Sequence, residues 1–181
     1  MRLENIFEVP AAPEAAWALL NDVPRVVPCL PGAELTDVVG PDEWRATVHV
    51  RLGPIAMHFL ADVTRQEADE AAGRAVLAVK AREARGRGGA TATIESSLAA
   101  LEGGTQVSLV TDLALQGPVA QYGRGVVGSV AAELTRQFAD CLARQLASDE
   151  QSPPVEVKPV GGLGLALRGL WQSLLSPFRG R

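Results

Sequence analysis

Trp44-Arg45-Ala46-Thr47-Val48-His49-Val50-Arg51-Leu52-Gly53-Pro54-Ile55-Ala56-Met57-His58-Phe59-Leu60-Ala61-Asp62-Val63 decides the fold of this chain. Trp44, Ala46, Val48, Val50 and Leu52 alternate with Arg45, Thr47, His49 and Arg51. Beyond Gly53-Pro54, the residues Ile55, Met57, Phe59, Ala61 and Val63 take up the apolar phase again. Side chains of a strand point to opposite faces in turn, so period two predicts two strands, each with one apolar face. The Gly-Pro pair between them marks a turn.

Outward from this hairpin the same period continues. Ala75, Leu77, Val79 and Ala81 oppose Arg74, Lys80 and Arg82 in part, and Ala90, Ala92, Ile94 and Leu98 alternate with Thr91, Thr93, Glu95 and Ser97. Glu102-Gly103-Gly104 then turns the chain into Val107, Leu109, Leu113 and Leu115. Residues 34–115 therefore read as a meander of about six strands, the pattern of an antiparallel sheet. Upstream, Leu3, Asn5, Phe7 and Val9 alternate with Arg2, Glu4, Ile6 and Glu8 to give a further strand. Pro13 opens a helix with Glu14 in its first turn and Trp17 and Leu20 on its apolar side, and Pro24, Pro28 and Pro31 break the next segment into turns. Downstream, Val119 to about Ala147 predicts one long helix with Val119, Val126, Val130, Leu134, Phe138 and Cys141 on one side. The expected architecture is α+β, a curved antiparallel sheet of about seven strands gripping a long C-terminal helix. Ala46, Ala61, Ala81, Ala90 and Ala92 on the inner faces leave room for an expected apolar cavity between sheet and helix; the alternative is that they let the helix pack close.

Charge divides the chain. Lys158, Arg168, Arg179 and Arg181 give residues 157–181 a charge of +4 with no acid, while the remaining 13 Lys+Arg and 21 Asp+Glu give −8, together the net −4. An acidic body excludes a nucleic-acid-binding face, which needs basic residues against phosphates. Residues 1–147 make one domain, long enough to bury roughly two-thirds of its unfolded surface. Residues 148–160, rich in Ser, Pro and charged side chains, read as a linker. Residues 161–181 form the tail, with Leu163, Leu167, Leu170, Trp171, Leu174 and Phe178 on one side of a helix and Arg168 and Arg179 beside them. That run is too short and too interrupted to span a bilayer, which takes about 20 apolar residues. Aromatic and aliphatic residues with arginines and no carboxylate suit a helix lying in a membrane interface. A protein partner, or packing on its own domain, are the alternatives for the tail. The charged start MRLENIFEVP lacks the apolar core of a signal peptide, so a cytoplasmic location, peripheral on the inner face of the cell membrane, is expected.

The sequence offers little chemistry. His49 and His58 occupy the polar phase of neighbouring strands, so neither is expected inside, and no third ligand is spaced for a metal. Cys29 and Cys141 provide no disulfide framework; Cys29 has only Arg25 near it to activate a thiolate, and Cys141 reads as a helix core residue. Gly123-Arg124-Gly125-Val126-Val127-Gly128 matches the dinucleotide fingerprint, yet no parallel strand follows to carry the partner acid. Those glycines read instead as space in the helix or a close approach. Asp112 and Glu95 lie on the outer phase. No catalytic group and no metal site are expected, and a binding module is favoured over an enzyme.

Several of these residues form motifs that resemble the carbon monoxide dehydrogenase G-subunit family, within the helix-grip (START/Bet v 1-like) superfamily of lipid-transfer and polyketide-cyclase-like domains. The motifs are Pro13-x-x-x-Trp17-x-x-Leu20-x-Asp22, Cys29-Leu30-Pro31-Gly32, Gly53-Pro54-Ile55 with Phe59, Gly103-Gly104-Thr105 with Asp112, and Gly117-x-x-Ala120-x-x-Gly123. Arg85-Gly86-Arg87-Gly88-Gly89 departs from the pattern in being unusually basic and glycine-rich. The resemblance implies a helix-grip fold with a hydrophobic tunnel. It also implies an accessory role beside a molybdenum-containing carbon monoxide dehydrogenase or related hydroxylase, recruited to the membrane lipid surface. A bound isoprenoid quinone, menaquinone or ubiquinone, would be the ligand, with no covalent cofactor. The ligand-binding residues expected are Leu30, Pro31, Val48, Val50, Met57, Phe59, Leu77, Val79, Ile94, Leu109, Leu113, Tyr122, Val126, Val130, Leu134 and Phe138. The competing expectations are a cyclase- or hydrolase-type helix-grip enzyme and an assembly factor for a metalloenzyme.

Overall fold

The computed structural model describes residues 1–52, 55–86, 88–121 and 123–151. Strand β1 (Arg2–Val9) leads into helices α1 (Pro13–Leu20) and α2 (Val23–Val26) and a 3-10 turn (Val27–Cys29). Six strands follow: β2 (Ala33–Gly40), β3 (Glu43–Leu52), β4 (Ile55–Asp69), β5 (Arg74–Glu83), β6 (Gly89–Leu101) and β7 (Gly104–Gln116). A second 3-10 turn (Gly117–Gln121) precedes the long helix α3 (Arg124–Gln151). All seven strands form one antiparallel sheet in the order β1-β7-β6-β5-β4-β3-β2. This is the helix-grip arrangement, curved sheet and C-terminal helix, that the period-two pattern predicts.

Register places the apolar phase of every strand on one face. Val48 pairs with Phe59 and Val50 with Met57 across β3 and β4. Leu77 meets Ile94, and Ile94 in turn meets Thr111. The core on that face is unevenly closed. Val107, Val9, Ala16, Leu19, Phe138, Leu142 and Leu146 pack together, joining β1, β7, α1 and the second half of α3. Phe7 meets Phe138 edge-to-face with ring centres 6.0 Å apart. Thr105, fully buried, donates its hydroxyl to the Ala11 carbonyl at 2.7 Å. Trp44, Val23 and Val27 form a second cluster beside it.

Three features differ from the expectations. Helix α3 begins at Arg124 rather than Val119, because Gly117-Pro118 starts a 3-10 turn instead. Gly117 takes a positive φ of 77°, outside the helical region and avoided by β-carbon-bearing residues, so the chain enters this segment through a turn. At the other end α3 continues to Gln151, so residues 148–151 are helical and not linker; the Ser148 hydroxyl donates to the Arg144 and Gln145 carbonyls. The third correction concerns the cysteines. Cys29 and Cys141 are joined in a disulfide across 112 residues of sequence, with Cα atoms 5.4 Å apart. Proximity in the fold, invisible to spacing, brings the 3-10 turn before β2 against α3.

Candidate functional site

The inner face has two unlike halves. Toward β1 and the second half of α3 it is filled, as described. Toward the β3–β4 and β5–β6 hairpin tips, Val48, Val50, Met57, Val79 and Leu113 are only half-buried, as are Leu77, Ile94 and Leu109 nearer the closed half, where Leu109 packs against the core. The reason lies in α3, which packs chiefly on β1 and touches α1 and the first 3-10 turn. Its first half carries glycines at 125 and 128, where an added Cβ would meet nothing within 4 Å. Val127, Val130 and Leu134 are half-buried there, and Val126 is 47% exposed. This part of the inner apolar face is therefore only half-covered among the described residues.

The expected ligand residues therefore divide. Val48, Val50, Met57, Leu77, Val79, Ile94, Leu109 and Leu113 share the half-buried inner phase. Phe59 and Phe138 are buried, at 7% and 8% exposure, and Phe138 belongs to the closed core. Leu30 is 39% exposed and Pro31 half-buried, on the turn after the first 3-10 segment. Gly32 on that turn has φ of +78°, and a Cβ there would sit 2.4 Å from the His49 carbonyl oxygen. The turn is tied to β3 by the His49 amide, which donates to the Gly32 carbonyl at 2.8 Å. Tyr122 lies outside the described residues, as do Leu163, Leu167, Arg168, Leu170, Trp171, Leu174, Phe178 and Arg179 of the tail.

Ionisable groups at inner-phase strand positions, among the described residues, are Arg65 and Glu83. Arg65 sits at the closed end. Its guanidinium donates to Asp42 Oδ1 at 2.8 Å and to the Asn21 and Pro41 carbonyls at 3.0 Å each, and it lies 5.1 Å from the centre of the Trp44 ring. Glu83, at the end of β5, accepts from the Arg85 amide at 2.9 Å. The sequence reading missed Arg65, although its position in phase with Ala61 and Val63 was a usable signal. On the outer face, Asp112 is exposed, and Arg74 donates to Glu95 at 3.0 and 3.1 Å and also pairs with Glu67. The hydrogen bonds from Arg74 hold the Glu95 carboxyl below the usual range. His49 and His58 do lie on the outer phase, with rings edge-to-face and centres 4.2 Å apart. No group of three or more metal-ligating side chains occurs among the described residues. No helix among them is long and apolar enough to cross a membrane.

Comparison with known proteins bears on this arrangement. The family model CoxG, described as the G-subunit of carbon monoxide dehydrogenase, matches residues 6–147. No match is found among curated proteins. Among solved structures, a conserved protein from Geobacillus kaustophilus is 20% identical with a TM-score of 0.74, covering 82% of this chain and 97% of that one. A protein from Thermus thermophilus is 16% identical with a TM-score of 0.60, covering 82% and 99%. A protein from Mycobacterium smegmatis is 14% identical with a TM-score of 0.59, covering 82% and 92%. At such identities the likeness is one of fold.

Proposed function

The chain belongs to the CoxG family, the G-subunits of carbon monoxide dehydrogenase, and we propose that it is a non-catalytic accessory protein that carries a hydrophobic ligand, an isoprenoid quinone, on its inner face. In this reading it recruits a molybdenum-containing carbon monoxide dehydrogenase or related hydroxylase to the cytoplasmic membrane, where electrons pass to the quinone pool. The observation that carries the ligand is the half-buried apolar inner face under the glycine-bearing first half of α3. A prenyl chain laid on such a face gains about 25 cal/mol per Å² of apolar surface covered, with no charged partner needed. The family description supports the accessory role and the enzyme class of the partner. The tail's composition supports membrane attachment, and a single amphipathic segment gives reversible binding.

Lipid extraction of gently purified protein, followed by mass analysis, tests the ligand. A prenylated quinone in stoichiometric amount is expected, and protein that is empty after purification from its source overturns carriage. Deleting 161–181 is expected to move the protein from the membrane to the soluble fraction with the body still folded. Continued pelleting with membranes overturns the role given to the tail.

A further inference from the structure

The two ends of the sheet carry opposite charge. In an antiparallel meander alternate hairpin turns fall at opposite ends, so the fold sorts residues that are mixed in sequence. Turns 40–43, 69–73 and 101–104 share one end and hold Asp42, Glu43, Asp69, Glu70 and Glu102 with no Lys or Arg. At the other end lie the β3–β4 and β5–β6 tips, the close of β7 and the start of α3. Exposed Arg51, Arg82 and Arg85 stand there against Glu83 and against Glu34, which lies on the cross-strand row of Arg82, and residues 113–132 contain no carboxylate at all.

The basic end also has a cleft. About 360 Å³ in volume, it is lined by His49, Arg51, His58, Glu83 and Arg85, with Val50 and Met57 of the inner apolar phase in its wall. His58 Nε2 is buried there with no hydrogen-bond partner. Leu30 and Val126, two of the exposed large apolar residues, belong to the same end. Gly88, whose Cβ would fall 2.4 Å from the Gln116 carbonyl oxygen, holds the β5–β6 turn against the close of β7.

We infer that this end of the body is itself a docking surface for an anionic bilayer, with a lipid phosphate seated between Arg51, Arg85 and the histidine pair. The inference rests on the proposed hydrophobic ligand and gives it an entry side: the half-buried apolar face opens where the headgroups would be. A membrane surface fits better than a nucleic acid, because three exposed arginines, with Leu30 and Val126 exposed beside them at the same end of the fold, offer too few phosphate contacts and too much apolar surface. An acyl–headgroup boundary satisfies both at once, cations at the phosphates and apolar side chains just beneath. It also supplies the second signal that stable membrane attachment requires. The acidic end, repelled by the same surface, fixes the orientation.

The test is binding of the full chain to vesicles of phosphatidylcholine with and without phosphatidylglycerol. Replacing Arg51, Arg82 and Arg85 together by Gln is expected to weaken binding to the phosphatidylglycerol vesicles by about 100-fold, at roughly one tenfold or less per basic residue. The same positions replaced by Lys keep the charge and are expected to bind within about threefold of the parent, since the surface potential acts on charge rather than on fork geometry. Asp69→Asn with Glu70→Gln, at the opposite end, is expected to bind no more weakly than the parent. The inference is overturned if the Gln variant binds like the parent, or if the Lys variant is as weak as the Gln one. It is equally overturned if the Gln variant keeps its vesicle binding and loses only the partner enzyme. A Gln variant that binds normally while the extracted ligand is still found would sink this surface and leave the carrier role standing. An empty protein whose vesicle binding still needs the arginines would do the reverse.

Discussion

The acidic and basic ends of the sheet are built from the same strands yet are held together differently. At the acidic end the polar groups Thr105 and Arg65 have fixed partners: Thr105 on Ala11, Arg65 on Asp42, Asn21 and Pro41. Leu142 and Val107 are 1% and 0% exposed there. At the basic end the apolar residues are half-covered, and His58 Nε2 is left without a partner. Burial and satisfied hydrogen bonds are what make a fold stable, and surface left incomplete is what a ligand can use. One end of this molecule is a foundation and the other is a face.

That contrast can be broken most directly by truncating matched leucines. Leu142→Ala removes a fully buried side chain from the closed core and is expected to cost about 3 kcal/mol. Leu113→Ala, on the half-buried inner face, removes contacts only partly made and is expected to cost below about 1 kcal/mol. Urea unfolding of both variants checks the pair; equal losses would mean the inner face is as closed as the core.

Reducing the disulfide probes the same foundation. A cross-link between Cys29 and Cys141 closes a loop of more than a hundred residues, and such bonds contribute about 2–4 kcal/mol, chiefly by restricting the unfolded chain. Cys29→Ser with Cys141→Ser is expected to lower the urea midpoint by a corresponding amount, and dithiothreitol is expected to shift the parent toward the double variant. A midpoint insensitive to reductant would show that the pair is not cross-linked.

Arg65→Met is expected to cost about 2 kcal/mol, because two main-chain carbonyls and Asp42 lose their donor while the Trp44 contact loses its cation. The near-match in shape separates this loss from simple cavity formation. Thr105→Val, which strands the Ala11 carbonyl in a buried site, is expected to cost about 1–2 kcal/mol.

These same residues show how far the sequence could be read. Alternation from Trp44 to Val63 was enough to place two strands, their turn and their inner face, because burial on one side enforces period two. The long helix was equally legible in its middle, where Val130, Leu134 and Phe138 recur at helical spacing. Its ends were not, since Gly117-Pro118 can open a helix or a 3-10 turn and only packing chooses. Arg65 shows a subtler limit. Its phase pointed inward, but the register shift in β4 between Arg65 and Glu67, and the partners waiting at Asn21, Pro41 and Asp42, exist only once distant turns are assembled. The disulfide was hidden for the same reason: cysteines 112 residues apart carry no spacing signal. The charge polarity of the two ends was in the sequence all along, yet it needed the meander's topology to become visible.

The smallest effect lies midway along α3, between its closed and open halves. Arg136 bridges Glu133 and Asp140 at 2.7 and 3.0 Å, and Gln137 donates to Glu133 at 2.7 Å. The hydrogen bond from Arg136, then that from Gln137, brings the Glu133 carboxyl down to about 2. A carboxyl depressed in the folded state stabilises it above the unfolded value, near 4.3, and that contribution fades as pH falls through about 2. Helical circular dichroism of the parent is therefore expected to soften between pH 4 and 2, and Glu133→Gln is expected to flatten that part of the curve. The pair is exposed, so salt at about 1 M, where screening reaches within roughly 3 Å, is expected to flatten it too. An unchanged pH profile in Glu133→Gln would mean that the bonds from Arg136 and Gln137 to Glu133 contribute nothing to holding the middle of α3.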